Sequence, residues 1–145
     1  MESLLKTQSN FGGKDQNFLA AMGEAGSVRG WRYPRHLNYN DPNQIYRFGF
    51  HNLKSTVELR KVVVPRFPLQ DLYEFGITVG TFIDWGVTSQ MEFSDMFGMR
   101  PVIGTGITVQ LQMPFVSVLR LDYGYGFYDG KQIDRAFHLA VGHQI

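Results

Sequence analysis

The last hundred residues of the chain alternate between apolar and polar side chains with a period of two. Along residues 73–87, apolar side chains such as Ile83 share one face, and small or polar side chains such as Asp84 share the other. Four further segments alternate in the same way, at about residues 44–65, 100–113, 116–128 and 134–145. A period of two is typical of β-strands that have one face in an apolar environment. The sequence therefore predicts an all-β chain folded as an antiparallel meander.

The polar face of these strands is unlike the interior of a small soluble barrel. It carries mainly Gly, Thr, Gln, Asp and Arg, whereas the opposite face is aliphatic or aromatic. In outer-membrane β-barrels, lipid-facing side chains alternate with side chains that face a polar lumen, along strands of about ten residues. We therefore expect about five transmembrane strands within residues 44–145. The alternative is a small soluble antiparallel β-barrel that binds an apolar ligand and turns its aliphatic face inward.

Charge and hydropathy argue against several other classes of protein. Fourteen Lys and Arg residues stand against thirteen Asp and Glu residues, so the net charge of +1 gives no reason to expect nucleic acid as a partner. The longest wholly apolar run, Phe18–Met22, is five residues long and too short for a membrane-spanning helix. Residues 1–8 lack the features of a secretory signal, so we expect the chain to be a piece of a longer exported protein.

The segments before the alternating region differ from it in composition. Residues 1–26 are polar and rich in glycine, and we expect an N-terminal arm there with a short strand about Gln16–Met22. Residues 27–43 mix turn-forming residues with cations and aromatics, which is the composition of a long loop with its own packing. Because a loop of this length usually carries function, we looked there for candidate site residues.

Two short motifs suggest a contact between this loop and the sheet. The loop motif consists of Val28, Arg29, Gly30 and Trp31, and the strand motif of Phe82, Asp84 and Gly86. A guanidinium inside a narrow polar lumen is stabilised by a carboxylate that accepts charge-assisted hydrogen bonds. We therefore expect Arg29 to pair with Asp84, with Gly86 leaving room for the loop. The alternative is that Arg29 is a solvated loop cation and Asp84 an ordinary strand residue.

These motifs resemble those of a known family, the Omp85 superfamily of outer-membrane insertases and translocators (the BamA, TamA and two-partner secretion type). The segment Val28-Arg29-Gly30-Trp31 resembles the motif of that family's long sixth extracellular loop, and Phe82-Ile83-Asp84-Trp85-Gly86 resembles its F-x-D-x-G motif. Residues 118–125 are similar to the penultimate strand of the family, and residues 137–145 to its closing strand. The resemblance covers about residues 16–145 and implies the C-terminal part of a sixteen-stranded outer-membrane β-barrel with a long inserted loop.

The resemblance implies that residues 1–145 are a partial barrel domain of a protein in the bacterial outer membrane. Its loop over residues 27–43 enters the lumen, and its closing-strand signal comprises Phe137, Leu139, Val141, Gly142 and Ile145. The last of these is aliphatic where the family has an aromatic residue. The implied partners are outer-membrane lipids, the remainder of the barrel, periplasmic POTRA domains, and client β-barrel or secreted proteins. The implied role is protein insertion or translocation, without catalysis and without a cofactor.

Other chemistry has little support in the sequence. The four histidines do not have the spacing of metal ligands, so no metal site is expected; they are His36, His51, His138 and His143. An outer-membrane hydrolase would need a serine beside His138, and only Ser94 and Ser117 are available. Arg32 and Arg35 are expected to be solvated loop cations rather than further anchors of the loop.

Overall fold

The fold is a six-stranded antiparallel sheet, seen in a computed structural model that describes residues 2–11, 20–23, 27–32, 44–69, 73–113 and 118–142. The strands run in the order β1-β4-β5-β6-β7-β8 across the sheet. Their bounds are Glu2–Phe11 (β1), His51–Leu69 (β4), Tyr73–Ser89 (β5), Val102–Gln112 (β6), Val118–Tyr128 (β7) and Lys131–Gly142 (β8). A separate two-stranded sheet pairs Ala20–Ala21 (β2) with Phe48–Gly49 (β3).

The last five strands of the large sheet form the predicted meander. Each of β4 to β7 pairs with the next strand along the chain, and every pairing is antiparallel. The prediction of an all-β chain with a five-strand antiparallel meander is therefore confirmed. Within the described residues, none of the helical segments is long and apolar enough to span a bilayer.

The two faces of the sheet are exposed to very different degrees. We call the side that carries Ile83 and Phe137 the apolar face, and the side that carries Asp84 and Asp122 the polar face. Large exposed side chains of the apolar face are Val57, Leu59, Ile83, Trp85, Ile103, Ile107, Tyr123, Tyr125, Phe137, Leu139 and Val141. On the polar face, Glu58, Asp84, Thr108 and Asp122 are buried. Many large apolar side chains of the sheet are thus exposed, while acids of the opposite face are buried, the reverse of what is usual in a soluble domain.

Strand β4 differs from the prediction at both ends. The segment 44–65 was expected to be one strand, but Ile45–Arg47 forms a short 3-10 helix and the long strand begins at His51. We expected the strand to end at Pro65, and it continues to Leu69. Its register against β5 shifts between Val62 and Val64 and again between Val64 and Phe67. Such irregularities allow a strand to contain proline, which has no N–H to donate to the ladder.

The last strand begins three residues earlier than expected and ends at Gly142. A two-residue turn at Asp129 and Gly130 joins β7 to β8, and both residues have positive φ angles, 52° and 73°. Asp-Gly is the residue pair that best adopts this hairpin turn, so β8 can pair with β7 from Lys131 onward. Ile145 of the predicted closing-strand signal lies outside the described residues.

The N-terminal strand is a further difference. The expected strand about Gln16–Met22 is represented by β2 alone, and Gln16 to Leu19 lie outside the described residues. Instead, Glu2–Phe11 forms a ten-residue strand that pairs with β4 over its full length, from Glu2 opposite Arg60 to Phe11 opposite His51. The described sheet therefore has six strands, with β1 at one edge and β8 at the other.

Candidate functional site

The loop motif lies against the polar face of the sheet, and Arg29 contacts Asp84 there. The guanidinium Nε lies 2.7 Å from Asp84 Oδ2, and Nη2 lies 2.8 Å from Asp84 Oδ1. The backbone N–H of Arg29 also donates to Oδ2, at 2.9 Å. Both side chains are almost fully buried, with exposed fractions of 3% and 1%. This bidentate contact fixes the orientation of the guanidinium and also neutralises its positive charge with a carboxylate.

Two more carboxylates surround the same guanidinium. Arg29 Nη1 lies 3.0 Å from Glu58 Oε2 on β4 and 3.5 Å from Asp122 Oδ1 on β7. Each of these acids has a second arginine, since Arg60 Nε lies 2.7 Å from Glu58 Oε1 and Arg120 Nε lies 2.9 Å from Asp122 Oδ2. The cluster therefore contains three arginines and three carboxylates, and its formal charges balance.

The surroundings keep Arg29 charged. Burial alone would lower the pKa of the Arg29 guanidinium, but the hydrogen bond to Asp84 and the charges of Asp84, Asp122 and Glu58 outweigh it and raise the pKa above its ordinary value. The aromatic ring of Phe82 lies beneath the cation, with the guanidinium carbon 3.7 Å from the ring centroid. Phe82 therefore adds a cation–π contact to the ion pairs of Arg29.

Glycines on the polar face leave the space that the loop occupies. A Cβ atom at Gly104 would overlap the carbonyl oxygen of Arg29, and one at Gly126 would lie 2.6 Å from the indole ring of Trp31. A Cβ atom at Gly86 would lie 2.6 Å from Met22 Sδ and 3.0 Å from Val28 Cγ2. A larger residue at Gly104 or Gly126 would therefore displace the loop, whereas one at Gly86 would first displace the side chain of Met22.

Val28 and Trp31 anchor the loop motif by apolar packing. Both are fully buried and form a cluster with Met22 and Val102, against which Tyr46 and Tyr128 pack. The indole Nε1–H of Trp31 donates to the carbonyl of Ile103, at 2.9 Å, so the one polar group of this side chain is paired. The loop motif thus combines an ionic contact from Arg29 with apolar contacts from the residues beside it.

Arg47 closes the base of the loop. Its Nε and Nη2 both donate to the carbonyl of Met22, at 2.9 and 2.8 Å, and Nη2 also donates to the carbonyl of Arg32. The guanidinium carbon lies 5.0 Å from the Trp31 ring centroid. Burial lowers the pKa of Arg47, although Asp134 and Tyr46 act in the opposite direction. Arg47 therefore links the backbone just before the loop, at Met22, to the backbone at Arg32.

The end of the loop segment contacts the last strand. The backbone N–H of Gly30 donates to His138 Nε2, at 3.3 Å, and Arg32 donates to Asp134 through its backbone N–H and its Nε, at 3.0 and 2.8 Å. Gly30 has a φ angle of 88°, and a Cβ atom there would lie 2.6 Å from the backbone of Tyr125. Arg32 was expected to be a solvated cation; it is 76% exposed, yet it is paired with Asp134. Arg35 lies outside the described residues.

The remaining candidate residues are spread along the sheet. On β8, Phe137, Leu139 and Val141 project from the apolar face and are exposed, and Gly142 is the last residue of the strand. Ser94 lies in the short 3-10 helix Phe93–Gly98, where its hydroxyl donates to Glu92. Among the described residues no group of three acids, histidines or cysteines could hold a metal ion. His36, Ser117 and His143 lie outside the described residues.

A cleft of about 800 Å³ lies beside the loop, at the end of the sheet where β5 joins β6. Its walls include the stacked rings of Tyr46 and Tyr128, 3.7 Å apart, together with Phe48, Met99 and Arg100. Neither Arg29 nor Asp84 lines this cleft, so it is separate from the cluster of charges.

Reasoning from the sequence missed several members of the cluster. Neither motif includes Glu58, Asp122 or Arg120, and neither includes Arg47, which contacts the backbone at both ends of the loop segment. The available signal was that Glu58, Asp84 and Asp122 each alternate with apolar neighbours on a different strand, while the loop carries an arginine. What the sequence could not supply is the register, which places Glu58 opposite Phe82 and Asp122 in line with Gly80, so that both acids and Asp84 come within reach of one guanidinium.

No protein-family model, curated protein or solved structure matches this chain.

Proposed function

We propose that the chain is the C-terminal part of an Omp85-type β-barrel of the bacterial outer membrane, and that it takes part in the insertion of β-barrel proteins or in protein translocation. In this proposal, β1 and β4 to β8 are six neighbouring strands of the barrel wall. The loop from Ser27 onward enters the lumen, and the remaining strands and the periplasmic POTRA domains belong to the rest of the protein. The protein is not an enzyme and needs no cofactor.

One observation carries the proposal: the exposed face of the sheet is apolar and the covered face is charged. Ile107, Phe137, Leu139 and Val141 are each more than half exposed, although burial of such side chains is favourable by about 1.5–3 kcal/mol each. In a bilayer these side chains meet hydrocarbon, while the carboxylates meet Arg29 and the lumen. A lipid environment therefore accounts for both faces of the sheet.

The loop contacts support a mechanism in which the loop stabilises the barrel wall while one edge strand stays free to pair with a client. Contacts of Arg29 and Arg32 join the loop to β4, β5, β7 and β8, so the loop braces the wall from within. Within the described sheet β8 has a partner on one side only, and its free edge can pair with another strand. In the proposed mechanism a client strand adds at this edge by β-augmentation while the loop holds the wall in shape.

The two tryptophans of the chain provide a direct test of this orientation. Trp85 lies on the apolar face and is 37% exposed, whereas Trp31 belongs to the loop, packs against the polar face and is 1% exposed. The full chain is reconstituted in vesicles made with lipids that are brominated in their acyl chains, since bromine quenches indole fluorescence on contact. The variant Trp31→Phe leaves only Trp85, and Trp85→Phe leaves only Trp31.

We expect the fluorescence of Trp85 to be quenched strongly and that of Trp31 to be unaffected. Vesicles of the same composition without bromine serve as the control. If Trp85 is not quenched, the apolar face does not meet hydrocarbon and the proposal is wrong. The alternative of a small soluble barrel that binds an apolar ligand predicts that neither tryptophan is quenched and that the chain stays soluble and monomeric without detergent.

A further inference from the structure

The apolar face carries a cation near one end of the sheet. Arg135 lies directly opposite Tyr125 on the β7–β8 ladder, and Tyr125 lies opposite Thr105 on β6. On β8, the neighbour of Arg135 along the same face is Phe137, which is 63% exposed. Arg135 is itself exposed. A charged side chain thus stands among the residues for which the proposed function requires contact with lipid.

The Arg135 guanidinium has no carboxylate within ion-pair distance among the residues that the structure describes. The acid next to it in sequence, Asp134, belongs to the polar face and pairs with Arg32. Asp134 accepts from the backbone N–H of Arg135 but not from its side chain. The positive charge on the apolar face is therefore not balanced by this part of the chain.

The position of Arg135 along its strand suggests where a balancing anion would come from. The residue lies four positions beyond Lys131, where β8 begins, which is roughly 14 Å along the strand from its end. An arginine on the lipid-facing side of a barrel is unfavourable at the middle of the bilayer and much less so near the interface. Long cationic side chains also extend toward the interface. The guanidinium can therefore reach the level of lipid headgroups.

The residues beside Arg135 suit a phosphate group. Tyr123 and Tyr125 are adjacent on the apolar face of β7, with ring centroids 5.6 Å apart and exposed fractions of 38% and 39%. Their phenol hydroxyls can donate hydrogen bonds to phosphate oxygens, and a guanidinium binds phosphate through paired N–H groups. Tyrosine is moreover common at the level of the headgroups.

We propose that Arg135, together with Tyr123 and Tyr125, binds the phosphate group of an anionic membrane lipid on the outer surface of β7 and β8. This proposal rests on the proposed function, because it requires the apolar face to meet lipid. The phosphate contact is specific, because a uniformly apolar surface would bind lipid tails without selecting a headgroup.

The test measures lipid binding to the full chain in detergent micelles by native mass spectrometry, with phosphatidic acid and phosphatidylcholine compared at equal concentrations. We expect phosphatidic acid to bind at least about five-fold more tightly, and Arg135→Gln to remove this preference. Arg135→Lys should retain part of it, because the charge stays while the paired N–H groups are lost. Lys61→Gln is the matched control, since Lys61 is an exposed cation on the same face that lies opposite Val79 rather than a tyrosine.

Each outcome decides the proposal. A preference that survives Arg135→Gln, or that Lys61→Gln removes equally, would show that the anion is held by general charge and would overturn the site. Inorganic phosphate is added as a competitor; if it displaces phosphatidic acid at equal concentration, the ligand is free phosphate and the lipid assignment is wrong. Quenching of Trp85 by brominated lipid separates the two proposals, because quenching without a phosphatidic acid preference leaves the proposed function standing and removes only this site.

Discussion

Asp84 accepts hydrogen bonds from both the backbone and the side chain of Arg29. Its Oδ2 atom lies 2.9 Å from the Arg29 backbone nitrogen and 2.7 Å from Nε, and its Oδ1 atom lies 2.8 Å from Nη2. One carboxylate on β5 therefore sets the position of the loop backbone and the direction of the guanidinium together.

The first prediction concerns the shape of the cation at position 29. Arg29→Lys keeps the charge but cannot reach Asp84 and Glu58 together, and each lost hydrogen bond to a charged group costs about 1.5–3 kcal/mol. Arg29→Ala leaves the buried carboxylate of Asp84 without its arginine and should cost about 3–5 kcal/mol. The free energy of unfolding is measured by urea titration of the full chain in vesicles, followed by tryptophan fluorescence. Arg32→Ala is the control, because Arg32 is largely exposed and should contribute about 0–1 kcal/mol. Equal losses for Arg29→Lys and Arg32→Ala would contradict the prediction.

The second prediction concerns an exchange of charges. The double variant Arg29→Asp with Asp84→Arg should not recover the stability that either single change removes. The reason is that an aspartate at position 29 would face Glu58 and Asp122, which lie within 3.0 and 3.5 Å of the present guanidinium. The same urea titration, applied to the two single variants and the double variant, measures the coupling free energy. Full recovery would mean that Arg29 and Asp84 form an isolated pair.

The third prediction separates two buried carboxylates of the same cluster. Asp84 accepts three hydrogen bonds, whereas neither oxygen of Asp122 has a hydrogen-bond partner among the described residues, although Arg29 and Arg120 lie close by. Asp84→Asn should therefore lower the free energy of unfolding by about 1.5–3 kcal/mol more than Asp122→Asn does. The two variants remove the same charge, so each is the control for the other. Equal losses would show that net charge, and not hydrogen bonding, holds the loop.

The fourth prediction concerns the space beneath the loop. Gly104→Ala places a Cβ atom on the Arg29 carbonyl oxygen and should displace the loop, at a cost of about 1–3 kcal/mol. Displacement is measured as the rate of trypsin cleavage after Arg29 and Arg32 in the folded chain. Gly142→Ala is the matched control, because Gly142 is also a strand glycine and a Cβ atom there would meet nothing within 4 Å. Unchanged cleavage in Gly104→Ala would mean that the loop does not depend on this space.

Much of the fold follows from local patterns in the sequence. Alternation predicted five strands and the faces on which Ile83 and Asp84 lie, because one-sided burial selects side chains with a period of two. The early start of β8 was also readable, since Asp129-Gly130 is a strong hairpin signal. The strand Glu2–Phe11 was missed because its apolar residues Leu4 and Leu5 are adjacent and give no alternation, so its pairing with β4 defines it.

The candidate site was predictable only in part. The contact of Arg29 with Asp84 was expected from two motifs, and the two side chains lie in contact. The contributions of Glu58, Asp122 and Arg47 depend on register and on the path of the loop, which are tertiary properties. The sequence shows which residues are charged, but it does not show where along its strand each one contacts the loop.

The glycines beneath the loop are the smallest residues of the sheet, and we expect them to be more sensitive to substitution than the large apolar residues. At Gly104 and Gly126 a single added methyl group would collide with the loop, and at Gly86 it would collide with Met22, while the large side chains of the apolar face are exposed. If every position were varied at random and folded chains were selected, we would expect the smallest residues of β5, β6 and β7 to tolerate the fewest replacements. Bulky positions such as Ile107 and Leu139 would accept almost any apolar substitute.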